Sequence, residues 1–292
     1  MSKAILVDTT KCIGCRACMV SCKQSHNLKA EVWPIEGRST GYQNPPTLSA
    51  KTYTMITMNE IEDPKAQGGL HWVFTKRQCM HCEEPACASA CPVTALHKTE
   101  EGPVNYDSSK CIGCRYCVWA CPFGVPTADW DSLAPKIQKC TMCFERIIDE
   151  QKPTELNGVA LKEDAQTRIF DGQKLPACVK TCTTGALKFG DRDKLIAEAK
   201  DRIAKGNGKY QSHIYGELEA GGTGYIYLSK VPFEKLGFKT DLGDRSYPSY
   251  SKKAMEAVGP AIIGLGAVLG GVYLLQKRKA EVSASSGKAK KE

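Results

Sequence analysis

The chain has 292 residues, 42% hydrophobic and 25% charged, with a formal net charge of +8, which is the balance of an ordinary globular protein. Sixteen cysteines in a chain of this length argue against a disulfide-stapled secreted scaffold, a class that is short because it cannot build a core. The thiols therefore call for another use.

Residues 1–10, MSKAILVDTT, carry one lysine and a four-residue apolar run, too little for a signal or transit peptide, and they predict a short strand. That strand leads into KCIGCRACMVSCK, where Cys12, Cys15, Cys18 and Cys22 are spaced C-x2-C-x2-C-x3-C. A disulfide uses thiols in facing pairs, so three in one loop leave one without a local partner. A structural zinc site takes one C-x2-C pair from a loop and a second from elsewhere, which makes the third cysteine surplus. The run is instead the bacterial ferredoxin pattern, in which three thiolates of a loop hold a 4Fe–4S cluster and the fourth ligates another. Next, KTYTMITMNEI and LHWVFTKRQ are β-rich runs joined by EDPKAQGG, and they predict a hairpin.

Three more groups of four follow. Cys79, Cys82, Cys87 and Cys91 form the second; Cys111, Cys114, Cys117 and Cys121 repeat the first; Cys140 and Cys143 are separated from Cys178 and Cys182 by a polar, turn-rich insertion, 144–177. All sixteen cysteines are used, which gives four 4Fe–4S clusters. KCIGCR occurs at both 11 and 110, and CPVTAL at 91 matches CTTGAL at 182, so the chain reads as two fused or nested dicluster ferredoxins. Groups two and three are only nineteen residues apart and pair with each other, leaving group one for group four. Exchange of the fourth cysteine then gives Cys12, Cys15, Cys18 and Cys182; Cys22, Cys140, Cys143 and Cys178; Cys79, Cys82, Cys87 and Cys121; and Cys91, Cys111, Cys114 and Cys117. Each oxidised cluster with its thiolates carries about two negative charges. Four of them offset the formal +8, so nucleic-acid binding loses its support.

Beyond the last motif, DRDKLIAEAKDRIAKG predicts an amphipathic helix and GGTGYIYLSKVP a closing strand. AVGPAIIGLGAVLGGVYLLQ, residues 257–276, has no charge and is long enough to cross a bilayer; its abundant glycine suits a membrane helix better than a soluble one. Gly266-x3-Gly270 leaves one side smooth enough for a neighbouring helix. The basic residues Lys277, Arg278, Lys279, Lys288, Lys290 and Lys291 outnumber Lys252 and Lys253 before the span, which places the C-terminus inside and the cluster domain outside. The expected division is thus 1–78, first motif and hairpin; 79–135, inner dicluster domain; 136–250, completion of the outer one; 254–276, transmembrane helix; and 277–292, a basic disordered tail. The fold class is α+β, tandem dicluster ferredoxin-like domains with one C-terminal membrane helix.

The segments KRQCMHCEEPACASACPVTAL, CIGCRYCVWACPFGVP and CVKTCTTGALKFG, together with GGTGYIYLSKVPFEKLGF, resemble the β subunit of membrane-bound formate dehydrogenases. They are also similar to the four-cluster subunit of certain periplasmic nickel–iron hydrogenases. The resemblance covers roughly residues 1–276 and implies the cluster pairing given above. It implies a subunit with no catalysis of its own, relaying electrons from a molybdopterin (or nickel–iron) partner to a membrane cytochrome b partner that serves quinone. The charge bias, set against an N-terminus without an export signal, predicts a single-pass protein among inner-membrane lipids, its clusters loaded in the cytoplasm and its cluster domain carried to the periplasm with a partner bearing a twin-arginine signal. Departures from the family are the long gap before Cys178 and Thr183, where proline is usual after the last cysteine. His26, His71, His81, His97 and His213 are scattered; His81, inside a cluster loop, is expected as a hydrogen-bonding neighbour and not a ligand. Arg16 and Arg115, each after the second cysteine of its loop, read either as charges that raise cluster potential or as solvated side chains.

Overall fold

The computed structural model describes residues 2–31, 44–64, 68–130, 136–148, 155–156, 159–160 and 175–288. The first apolar run forms β1 (Lys3–Asp8), and the first cysteine loop runs into α1 (Ala17–Ser25). The two β-rich runs form the expected hairpin, β2 (Thr54–Glu62) and β3 (Leu70–Gln78), in antiparallel register from Thr54↔Gln78 to Glu62↔Leu70. The second and third cysteine groups are carried by α2 (Ala86–Ser89), β4 (Leu96–Lys98), β5 (Val104–Tyr106) and α3 (Tyr116–Ala120), followed by β6 (Thr127–Ala128) and β7 (Ile137–Gln138). After Cys143 come α4 (Phe144–Ile148) and a two-residue ladder of β8 (Glu155–Leu156) and β9 (Val159–Ala160); most of the 144–177 insertion lies outside the described residues. The chain continues with α5 (Ala177–Lys180), β10 (Leu187–Asp191), α6 (Arg192–Lys205), β11 (Tyr225–Leu228) and α7 (Tyr247–Lys288).

The sequence repeat reappears as a repeated ladder. In the inner unit, Leu96 closes CPVTAL and pairs with Tyr106, five residues before Cys111. In the outer unit, Leu187 closes CTTGAL and pairs with Val7, five residues before Cys12. Both pairings are antiparallel, but the first is a local hairpin and the second joins the two ends of the cluster region. Of the two arrangements compatible with the sequence, the chain adopts nesting: one dicluster unit is inserted between the halves of another.

β1 is also paired in parallel with β11, so the outer sheet has the order β10-β1-β11 and both faces of its central strand are covered. Ala4 and Leu6 pack under α6 against Leu195, Ala199 and Ile226; Ile5 and Val7 face the cysteine loops with Met19, Leu187 and Tyr225. This two-sided burial explains the uninterrupted apolar run AILV, which alternation alone would not yield. Tyr215, Tyr227, Phe233 and Phe238 form an aromatic knot with ring centroids 4.6–6.2 Å apart, capped by the Arg77 guanidinium 4.2 Å from the Phe238 centroid.

The chain divides into two compact units, 1–247 and 248–292. In the second, α7 is 42 residues long, and Tyr247–Val282 is long and apolar enough to cross a membrane. Ile262, Ile263, Leu265, Leu269 and Leu274 are all exposed, which a core helix of a soluble protein would not allow. The helix also runs on through 277–288, where the sequence predicts a disordered tail. Once a long helix is nucleated, each further residue adds a hydrogen bond, and Lys, Arg, Ala and Glu are good helix formers.

Candidate iron–sulfur centres

Each C-x2-C loop turns on a residue with left-handed backbone just before its second cysteine: Gly14 (φ 71°), His81 (φ 51°), Gly113 (φ 73°) and Met142 (φ 57°). The turn folds the loop back so that N–H groups face sulfur. Met142 N–H donates to Cys140 Sγ at 3.3 Å, and Ala177 N–H to Cys143 Sγ at 3.4 Å. Glycine is needed at position 14 for a second reason, because a Cβ there would lie 2.7 Å from the Phe74 ring. The strained His81 turn is held by the GGTGY segment: Gly224 N–H donates to the carbonyls of Met80 and His81, and Glu83 N–H donates to Gly222 O. This is the structural use of a segment that the sequence marks only as a resemblance.

All sixteen thiols are free. Burial pushes Cys18 and Cys87 up to about 12 and Cys79 and Cys117 up to about 11, and neighbouring thiols add to the shift. Those neighbours are specific. Cys182 and Cys15 act on Cys12; Cys140, Cys143 and Cys178 act on Cys22; Cys79, Cys121 and Cys87 act on Cys82; Cys114, Cys91 and Cys111 act on Cys117. Electrostatic influence also reaches between successive groups: Cys178 acts on Cys18, Cys140 on Cys79, and Cys117 on Cys87. Cys12, Cys15, Cys18 and Cys182 line a single cavity whose other walls include Val7, Ile13 and Ile56. Among the described residues no three Cys, His, Asp or Glu side chains converge on a point suited to one ion, which separates these groups from a zinc site with its sulfur–metal bonds of about 2.3 Å. Four thiols around a small apolar cavity fit the larger 4Fe–4S core. Cys15 and Cys114 are exposed, while Cys22, Cys140, Cys143 and Cys178 are all buried.

Two buried lysines, Lys76 and Lys139, stand among the thiols and were not legible in the sequence, where a lysine in a strand or loop reads as solvent-facing. Lys139 donates to the carbonyls of Val104 and Cys140. His81 is fully buried and its Nδ1 accepts the Val104 N–H at 2.9 Å, so the ring serves the loop as a hydrogen-bonding group. Burial, together with Lys139, Lys98 and Lys76, keeps it neutral. Arg16 reaches Met58 Sδ at 3.6 Å, and Arg115 lies 4.3 Å from the Trp130 centroid.

Free thiols in four groups, carried on two interleaved β-ladder units, define an electron-transfer protein of the dicluster ferredoxin class. Residues 11–95 and 70–163 each match a family model described as a 4Fe-4S dicluster domain. The chain is 35% identical over 229 residues to the nitrate-inducible formate dehydrogenase iron-sulfur subunit of Escherichia coli K12, covering 77% of this chain and 67% of that protein. It is 32% identical over 304 residues to the hydrogenase-2 operon protein HybA of Escherichia coli O157:H7, covering 95% and 84%. A protein of Nitratidesulfovibrio vulgaris is 40% identical over 285 residues, covering 97% and 69%. The chain belongs to the iron–sulfur subunit family of formate dehydrogenases and hydrogenases, and it carries four 4Fe–4S clusters.

Proposed function

We propose that this chain is the relay subunit between a formate-oxidising molybdenum or tungsten catalytic subunit and a membrane cytochrome b partner that delivers electrons to quinone. Each 4Fe–4S cluster supplies a site that takes up and gives up one electron. The ligand sets are Cys12, Cys15, Cys18 and Cys182; Cys22, Cys140, Cys143 and Cys178; Cys79, Cys82, Cys87 and Cys121; and Cys91, Cys111, Cys114 and Cys117. The observation that carries the reading is the serial arrangement of these sets. The electrostatic influence of Cys178 on Cys18, of Cys140 on Cys79 and of Cys117 on Cys87 supports an order of the four sets along one line. The exposed thiols Cys15 and Cys114 belong to the two end sets, and exposed apolar side chains flank both: Ile13 and Val20 at one end, Ile112, Tyr116 and Trp119 at the other. Such patches beside an accessible thiol suit protein partners.

The hydrogenase relative supports a second reading, the same relay serving a nickel–iron catalytic subunit, because that similarity extends over 95% of the chain against 77% for the formate dehydrogenase subunit. Membranes containing the tagged full-length chain distinguish the two. On the first reading, anaerobic addition of formate reduces the clusters, seen as new electron paramagnetic resonance signals, and hydrogen does not. Reduction by hydrogen alone favours the second reading, and reduction by neither, with clusters loaded, refutes both. The basic C-terminal end stays inside and the cluster domain faces the periplasm, exported already folded. Protease added to intact spheroplasts should therefore cut an epitope placed in 145–176 and spare one fused after Glu292; the reverse pattern would place the domain in the cytoplasm.

A further inference from the structure

Lys76 lies on β3 with 2% of its surface exposed. Its ammonium donates to Gln78 Oε1 at 2.9 Å and stands 5.1 Å from the centroid of the Tyr225 ring. Among the described residues it has no carboxylate partner. One neutral amide and one ring face return far less than a cation loses on leaving water, so a buried lysine of this kind requires a counter-charge. Lys139 differs in donating to two backbone carbonyls, those of Val104 and Cys140.

The surroundings of Lys76 supply sulfur instead. On one side it lines the cavity formed by Cys12, Cys15, Cys18 and Cys182. On the other, the Tyr225 hydroxyl beneath it stands 3.9 Å from Cys140 Sγ. We propose that Lys76 is a redox-tuning residue, a buried fixed cation shared by the first two centres of the relay, which raises the electron affinity of both. Reduction adds one negative charge beside it, and in a poorly polarisable interior that attraction is much less screened than in water. The joint between these two centres therefore holds an electron more readily than the same thiol cages would alone. The inference rests on the ligand assignment proposed above.

The test is a potentiometric titration, followed by electron paramagnetic resonance, of the full-length protein purified with its clusters, as wild type, Lys76→Met, Gln78→Glu and Lys76→Arg. In Lys76→Met, at an ambient potential held at the wild-type midpoint, the reduced-to-oxidised ratio of two centres should fall about tenfold, equivalent to about 59 mV for a one-electron couple, and a shift of one centre alone would refute the sharing. The remaining centres should not move, and Lys76→Arg should titrate close to wild type. Gln78→Glu keeps the lysine but adds a carboxylate at the atom it already bonds, and should shift the same centres in the same direction; it decides the matter if Lys76→Met loses its iron. Unchanged midpoints in a fully loaded variant, an equal shift of all four centres, or loss of iron from Met, Arg and Glu variants alike would overturn the proposal. Failure of the ligand assignment shows separately, in the wild-type iron content and in the cysteine variants.

Discussion

Leu265→Arg should release the chain from the membrane. Residues 257–276 contain nine Leu, Ile and Val side chains, and those at 262, 263, 265, 269 and 274 are exposed on α7. At about −0.3 to −0.6 kcal/mol each for insertion at mid-membrane, the nine favour the bilayer by roughly 3–5 kcal/mol. An arginine near the centre costs about 2.5–3.5 kcal/mol and removes one leucine, so the change is about 3–4 kcal/mol and nearly cancels the whole driving force. Each 1.4 kcal/mol is a factor of about ten, so a preference of about a hundredfold or more falls to near parity. The assay is alkaline carbonate extraction of membranes from cells expressing the full chain without partner subunits. Wild type and Leu265→Ala should stay in the pellet, and much of Leu265→Arg should appear in the supernatant. If the arginine variant is retained as fully as wild type, or if wild type is washed out, α7 is not an inserted anchor.

If the thiols cross as assigned, Cys182→Ser should abolish the same resonance signal as Cys15→Ser, and Cys22→Ser the same signal as Cys143→Ser; a match of Cys22→Ser with Cys15→Ser would break the exchange. Asp8, whose side chain is 1% exposed, accepts from Arg202 Nη1 at 3.0 Å, the Tyr210 hydroxyl at 2.9 Å and Thr10 Oγ1 at 2.6 Å, tying α6 to the entry of the first cysteine loop. Removing one partner of a buried pair costs about 3 kcal/mol at the low end, suited to an arginine that is partly exposed. Asp8→Ala should therefore lower the temperature of cluster loss by about 6–12 °C, and a change under about 2 °C would show the tie to be idle. Gly14→Ala combines a left-handed φ of 71° with a Cβ 2.7 Å from Phe74. It should cost the first loop its cluster, about four iron per chain, with Gly113 and its centre untouched; full loading would show that the loop relaxes freely.

The features legible in the sequence are those that a short stretch of chain decides alone. The first three cysteine groups, each strand of the β2–β3 hairpin, the amphipathic α6 and the apolar stretch of α7 each carry their signal within about twenty consecutive residues, and the split fourth group is legible only because it completes the count of sixteen. The register of β1 on β10 carries no such local signal, because Val7 and Leu187 lie at opposite ends of the cluster region with the whole inner unit between them in the sequence. The repeat of CPVTAL in CTTGAL hinted at that pairing, since both hexapeptides close on a leucine that starts a strand. The buried lysines were invisible for a different reason. β3 reads LHWVFTKRQ, with Thr75 and Lys76 adjacent and both buried, so alternation could not say which side faces the thiols. Lysine at 76 makes sense only beside the sulfur that the fold gathers around it.

The central claim is that every thiol serves a cluster. Iron and acid-labile sulfide, measured on the full-length protein purified anaerobically, test it most directly. Sixteen cysteines at four per cluster require about sixteen iron and about sixteen sulfide per chain. A reproducible value near twelve, with no apoprotein present, would contradict the account: one thiol group would then hold no cluster, and the relay would be broken at that point.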